Sequence, residues 1–566
     1  VRRPGRGHVG GLALLLAAGC GGAVAPGPAP PAASGTAATG APIRFRAQPL
    51  PFTYERGDSG RALPVETTGG GVGLLDFDGD GDLDLFFAQG ASLKGAVPPT
   101  AGPSDVLLRN DGGGKFTDVS AASGLTFRGY GQGVTVADVE GDGDPDVFVT
   151  RYGVNTLWKN EGGRFVDATE SAGLAGAPSW SLGAAFADLD ADGDLDLFVA
   201  DYFAFDPARA PFQRNAETGA AEYGPPAEFP GLPDRLYRND GSRFVDVTAA
   251  AGVAASGRGM GVLAADLDGD RRPDILVAND AEPNALWRNA GDGTFTDEAT
   301  VLGIAVNGAG QPEANMGIAR GDADGDGVPD VLITHFYDEH DTLWRGERGP
   351  DGGRFYRDAT FEAGLGTDSR PLTGWGTALA DFDGDGRLDL IVAAGHIRPE
   401  SNQKYRYENP PILWRGEPGG RFANVTAGAG EYFRSRHLAR GLACGDLDGD
   451  LDLDVAIVHH HGPSVVLWNE TPAAGRAVVL DLRGAGGNRD AIGAEVTVEA
   501  GGRTFSRAID GGGSYLSSGD RRVHVGIGSA AAADRVTVRW PSGREESRAG
   551  LAAGRVHAWE EGAGGR

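Results

Sequence analysis

Asp76-Phe77-Asp78-Gly79-Asp80-Gly81-Asp82-Leu83-Asp84 places five carboxylates within nine residues. Acids this close repel one another unless a cation lies between them. Positions 1, 3 and 5 of so tight a loop can turn oxygens inward. Position 7 can offer its backbone carbonyl, and the acid at position 9 can close the shell. Calcium takes about six to eight hard oxygen ligands, and a glycine at position 6 permits the sharp turn that collects them. The ligand set is that of the first part of an EF-hand loop, but no helix follows. Leu83 to Ala88 is a short apolar run suited to a buried strand.

The pattern returns six times. The second copy holds Asp138, Glu140, Asp142, Asp144 and Asp146, and the third Asp188, Asp190, Asp192, Asp194 and Asp196. The fourth holds Asp266, Asp268, Asp270 and Asp274, the fifth Asp322, Asp324, Asp326 and Asp330, and the sixth Asp381, Asp383, Asp385 and Asp389. The seventh holds Asp446, Asp448, Asp450, Asp452 and Asp454. A short apolar run follows every copy. Gly81, Gly143, Gly193, Gly327 and Gly386 fill position 6 in five copies, whereas the fourth has Arg271 and the seventh Leu451. Those two loops are expected to bind calcium more weakly or to stay empty, giving five to seven ions in all.

A second motif alternates with the acidic loops. It runs apolar-apolar-basic-Asn, then a turn, then Phe-x-Asp, as in Leu157-Trp158-Lys159-Asn160 with Phe165-Val166-Asp167. Each unit therefore supplies four short strands: one into the acidic loop, one out of it, and two more. Four strands per repeat, with a repeat of several tens of residues, mean a β-propeller blade. Seven acidic loops but only six Phe-x-Asp strands leave the last blade one strand short. Phe52-Thr53-Tyr54-Glu55, near the start, is expected to complete it and close the ring, which removes exposed sheet edges.

The net charge is −28, and the acids at positions 1, 3, 5 and 9 of the seven loops also number 28. The acidity is about as large as the metal-loop set itself. It argues against nucleic acid as a partner, since no basic stripe balances it. Two cysteines, Cys20 and Cys444, exclude a disulfide framework or a cysteine metal site. Arg2, Arg3 and Arg6 precede a short apolar stretch that ends at Ala17-Ala18-Gly19-Cys20. Residues 1–20 read as a secretion signal with a lipobox-like end, Cys20 being the lipidated residue; an ordinary cleaved leader is the alternative. Residues 21–42, rich in Ala, Pro and Gly, read as a disordered tether. Residues 43–475 are the seven-bladed propeller, 476–560 a small β-sandwich-like domain, and 561–566 a tail.

These residues resemble the FG-GAP/VCBS repeats of integrin α-chain propellers and, more closely, the cartilage acidic protein family and its bacterial relatives. The resemblance rests also on the tail, where Asn488 to Ala494, Gly513 to Ser518, Val523 to Gly528 and Val538 to Gly543 follow the ASPIC/UnbV pattern. It implies a calcium-binding extracellular protein with acidic loops on one face of the propeller. Relatives often carry cysteines in the insert from Asp201 to Asp234; this chain has none there.

The face opposite the loops collects His335, His340, His396, His459, His460 and His461, with Asp338 and the tryptophans Trp180 and Trp375. Histidine with carboxylate suits zinc, copper, iron or nickel. Three readings follow. The first is an extracytoplasmic, monomeric interaction or adhesion module that binds a surface protein or glycan and meets the membrane only through its N-terminal lipid. The second is a metal-dependent or carbohydrate-active enzyme using the histidine face. The third is an accessory protein in secondary metabolism. No nucleophile elbow, phosphate loop or zinc-protease motif appears, and the first reading is favoured.

Overall fold

The computed structural model describes residues 42–94, 98–207, 213–214, 221–241, 243–254, 256–350, 352–398, 406–472 and 476–563. The expected leader, Cys20 and most of the tether lie outside the described residues.

Seven four-stranded antiparallel units follow one another along the chain. The first blade is Val72–Leu75, Asp84–Phe87, Val106–Asn110 and Phe116–Asp118. The fifth is Ile318–Gly321, Asp330–Ile333, Thr342–Arg348 and Arg354–Asp358. In each blade the acidic loop joins the first strand to the second. The second strand is buried throughout, as its unbroken apolar sequence requires: Leu85, Phe86 and Phe87 are wholly inaccessible. The third strands place Trp158, Trp344 and Trp414 between blades, each at most 1% exposed.

The innermost strands meet through glycine. Gly71, Gly133, Gly183, Gly261, Gly317, Gly376 and Gly441 occupy equivalent places around the axis, each against the next blade's backbone. A Cβ on Gly317 would lie 2.2 Å from the Trp375 carbonyl oxygen, and one on Gly441 2.2 Å from that of Gly70. No larger residue permits this approach, and the contact of Gly441 with Gly70 closes the ring.

Closure uses the N-terminal segment, but not the stretch expected. Phe45–Pro49 pairs antiparallel with Val465–Asn469, Phe45 lying opposite Asn469. Phe52-Thr53-Tyr54-Glu55 lies outside this sheet; Phe52 stacks on Phe87 at 4.2 Å and the Tyr54 hydroxyl donates to the Gly131 carbonyl at 2.7 Å. Both stretches alternate apolar and polar residues. Pro49 and Pro51 separate them, and proline ends a strand because it has no N–H to donate.

The C-terminal domain is a sandwich. Ala477–Arg483 pairs with Val523–Gly526 and, in parallel, with Arg555–Glu560. The second sheet orders Arg503–Ala508, Glu495–Ala500, Ala532–Arg539 and Glu545–Ala552. This domain sits on the acidic-loop face. Asn488 N–H donates to the Gly193 carbonyl at 2.8 Å, Gly528 N–H to Gly384 at 3.1 Å, and Arg503 to the Asp385 carbonyl at 2.7 Å.

A strap from the domain enters the propeller axis. Gly511 and Gly512 pair with Ala264 and Leu263 of the fourth blade. Val134 N–H donates to Leu516 and Leu74 N–H to Ser518, both at 2.9 Å, while the Ser514 hydroxyl donates to Leu442 at 2.7 Å. Tyr515, at the tip, is fully buried against Trp375, with ring centroids 4.8 Å apart. Ser514 and Leu516 flank it at φ values of 50° and 54°, a left-handed backbone that non-glycine residues adopt only when the surroundings enforce it.

Candidate functional site

The acidic loops share one scaffold. The carboxylate at position 9 bridges two strands: Asp84 accepts from Phe77 N–H at 3.0 Å and from Asn110 N–H at 2.7 Å. Asp196 and Asp454 make the same pair of bonds, to Leu189 and Asn239 and to Leu447 and Asn469. Position 9 is thus first a staple of the fold. Burial, with the neighbouring loop acids adding to it, pushes Asp84 and Asp330 up to about 7. The same causes push Asp146, Asp196, Asp274 and Asp454 up to about 8.

Cation-ready clusters form mainly from positions 1, 3 and 5. Asp76, Asp78 and Asp80 bring one oxygen each within 4.8 Å of one another, as do Asp188, Asp190 and Asp192. Asp322, Asp324 and Asp326, and Asp381, Asp383 and Asp385, do the same; in the fourth loop the set is Asp266, Asp268 and Asp274. These donors are hard oxygens and fit calcium. Glu140 Oε1, Asp266 Oδ2 and Asp383 Oδ2 are buried without a hydrogen bond but face Lys159, Arg354 and Arg415; three other buried oxygens, Oδ1 of Asp76, of Asp188 and of Asp452, have neither a hydrogen bond nor an ion pair among the described residues. They belong to the first, third and seventh loops. Buried acceptors are normally paired, and an ion explains why these are not. In the seventh loop, burial and the adjacent Asp450 push Asp452 up to about 9.

Other loops meet arginine. Arg288 lies 2.6 Å from Asp268 and 3.7 Å from Asp270, while Arg354 lies 3.5 Å from Asp266. Arg345 lies 3.4 Å from Asp324, and Arg415 lies 2.5 Å from Asp383. Lys159 pairs with Glu140 in the second loop. Among the described residues, no such pair touches the carboxylates of the first, third or seventh loop. In the first and third loops the reason is local, although an acid two residues on is not decisive by itself, since Glu161, Glu347 and Glu417 follow Lys159, Arg345 and Arg415 at that spacing. Arg109 and Arg238 stand where Arg288 does, but Asp111 and Asp240, two residues on, hold them outward at 2.8 and 2.7 Å. Ala290 follows Arg288 at that spacing, and the seventh blade has Trp468 in place of the arginine.

The turn itself is indifferent to the glycine. Arg271 and Leu451 adopt φ values of 77° and 75°, left-handed and close to the 81° to 100° of the glycines at that position elsewhere. Loss of glycine therefore does not set the fourth and seventh loops apart; arginine reaches the fourth, fifth and sixth loops and, among the described residues, not the seventh.

The histidine face is differently organised from a chelate. His335 is 1% exposed, with Nε2 2.8 Å from Asn315 Oδ1 and 3.4 Å from Glu313. His396 accepts from Arg398 N–H at 3.0 Å; burial and the nearby Arg398 and Arg440 push it down to about 3. His459 bonds the Tyr432 hydroxyl and the Pro463 carbonyl, both at 2.8 Å. His460 stacks on Tyr54 and bonds the Gly69 carbonyl at 3.2 Å. His461 is exposed beside Glu408, Asp338 pairs with Arg370, and His340 meets the edge of Phe361. Trp180 and Trp375 are core residues near the axis, Trp375 lying 4.1 Å beneath the Arg440 guanidinium. The feature that sequence reasoning missed is the strap ending at Tyr515; its run of three glycines, Gly511 to Gly513, was the available signal.

A family profile described as FG-GAP-like repeat matches residues 76–149, 138–199, 230–277, 266–333 and 322–392. The chain belongs to the FG-GAP-repeat family. A second profile, ASPIC and UnbV, matches residues 484–566. Cartilage acidic protein 1 of Homo sapiens is 27% identical over 323 residues, which span 54% of this chain and 44% of that protein. The Xenopus tropicalis protein of that name is 26% identical over 333 residues, 55% of this chain and 46% of the relative. The chain thus matches less than half the length of these relatives. Among solved structures, an Agrocybe aegerita lectin that recognises non-reducing terminal N-acetylglucosamine aligns with a TM-score of 0.38 at 17% identity, covering 65% of this chain and 82% of that one. PorZ, a surface component of the Porphyromonas gingivalis type-IX secretion system, aligns at 0.40 and 13% identity, covering 90% and 61%. Similarity at this level speaks to neither ligand nor activity. No helix of the described residues is long and apolar enough to cross a membrane.

Proposed function

We propose that this FG-GAP propeller is an extracytoplasmic interaction module, stiffened by calcium in its acidic loops and displayed on the cell envelope by a lipid on Cys20. The observation that carries the proposal is the seating of the C-terminal domain on the loop face, with its strap in the axis. The loops are thereby committed to structure, and the opposite face remains for a surface protein or glycan. Calcium acts by neutralising acids that burial and crowding would otherwise keep protonated. At least one ring nitrogen each of His335, His396, His459 and His460 is spent on a protein group, which favours recognition over metal catalysis there. The test is a glycan and surface-protein binding screen on the full chain, with calcium and with EGTA. Binding that needs calcium is the expected result. Turnover of a screened polymer, or binding unchanged in EGTA, would displace this reading.

A further inference from the structure

A crevice of about 430 Å³ lies where the fourth, fifth and sixth blades meet the C-terminal domain. Six arginines line it: Arg271, Arg320, Arg348, Arg354, Arg507 and Arg539. Three are answered by acids. Arg320 pairs with Asp510 at 2.7 Å, Arg539 with Glu495 at 2.5 Å, and Arg354 with Asp266 at 3.5 Å. The other three have no carboxylate oxygen within 4.0 Å among the described residues. Among the described residues Arg348 donates to the Gly327 carbonyl, at 3.1 Å, and faces Asp326 from beyond ion-pair distance. Arg507 donates to the carbonyls of Ser506, at 2.9 Å, and Gly386, at 3.3 Å, and faces Asp322 and Asp381 from beyond ion-pair distance. Arg271 is exposed at the mouth.

Unpaired guanidinium groups converging on one cavity are unexpected in a chain of net charge −28. Two further donors, Nε of Arg320 and Nε of Arg354, are buried there without an acceptor. Guanidinium forks match the geometry of a two-oxygen acceptor better than any other side chain does.

We propose that this crevice is an oxyanion site, built for a sulfate, phosphate or carboxylate group on a ligand small enough to enter between the propeller and the C-terminal domain. It is distinct from the acidic loops and from the histidine face. Its occupant would touch both domains at once, so binding would clamp the C-terminal domain onto the fourth to sixth blades.

The test uses the full chain at saturating calcium and fixed ionic strength. Calorimetry measures sulfate, glucose 6-sulfate and, as control, glucose. Arg271→Gly, which restores the residue of the other loops and should fold, and Arg348→Gln are compared with the parent. The expected result is binding of sulfate or its sugar ester, weakened about tenfold by each substitution, with none for glucose. Tighter binding of the ester identifies an oxyanion carried on a sugar. Crystals soaked in selenate should show anomalous density among Arg271, Arg348 and Arg507. Failure of both anionic probes to bind, equal binding by both variants, or selenate found only elsewhere would overturn the proposal.

Discussion

The first, third and seventh acidic loops and the fourth, fifth and sixth share a backbone turn, yet their carboxylates face different company. In the first group, buried oxygens of Asp76, Asp188 and Asp452 have no partner. In the second, Arg288, Arg345 and Arg415 reach in from the neighbouring strand. A guanidinium and a calcium ion answer the same crowding of acids, but only the ion can leave. A repeat can therefore keep its shape while individual copies exchange a removable cation for a covalently attached one. Ion pairs so placed are also insensitive to chelators.

The largest effect that would test this contrast is calcium removal. At free calcium about tenfold above Kd, each occupied loop adds about 1.4 kcal/mol. If only the three unpaired loops load, EGTA should cost about 4 kcal/mol; seven loaded loops would cost about 10. Denaturant melts with and without EGTA distinguish the two, and no change in either would remove calcium from the account.

The next effect is pH. In the metal-free chain Asp84, Asp146, Asp196 and Asp454, at position 9, have folded values near 7 to 8, against 3.8 ordinarily. Groups raised on folding stabilise fully below their unfolded value and lose that contribution as pH rises through the folded one. In EGTA the melting temperature should therefore fall between about pH 5 and pH 8, and calcium should flatten this slope by replacing protons. A melting temperature in EGTA that rises over that interval would contradict it.

Single substitutions sharpen the contrast loop by loop. Asp78→Asn should lower the number of bound calcium ions by one in equilibrium dialysis, whereas Asp268→Asn should leave it unchanged. Equal losses would mean that the arginines do not exclude the ion. The smallest effect is a gain: Arg288→Gln should free Asp268 and add one weak site, seen as extra calcium only at high concentration.

Much of this architecture was legible in the chain. The spacing of Asp76 to Asp84 and its six repetitions gave the turn, the strand after it and the blade. The missing last strand was legible as an absence, but its replacement was misplaced. Phe45–Pro49 and the stretch from Phe52 share the same alternation, and the prolines between them had to be weighed. At position 6, Arg271 and Leu451 reach a left-handed conformation close to that of the glycines, so the turn forms without glycine. The histidines read as a face, and sequence, which lists residue types, does not show that His335, His396, His459 and His460 each spend a ring nitrogen on a protein group.

By itself the order of residues determined local matters: crowded acids that demand a counter-charge, apolar runs that must be buried, and glycines where backbones touch. These follow from spacing along the chain. Only the tertiary structure decided which carboxylates meet an arginine, that the last domain covers the loops, and that Tyr515 fills the axis. Those outcomes depend on groups far apart in sequence arriving within a few ångströms, and their energies exist only once the ring has closed.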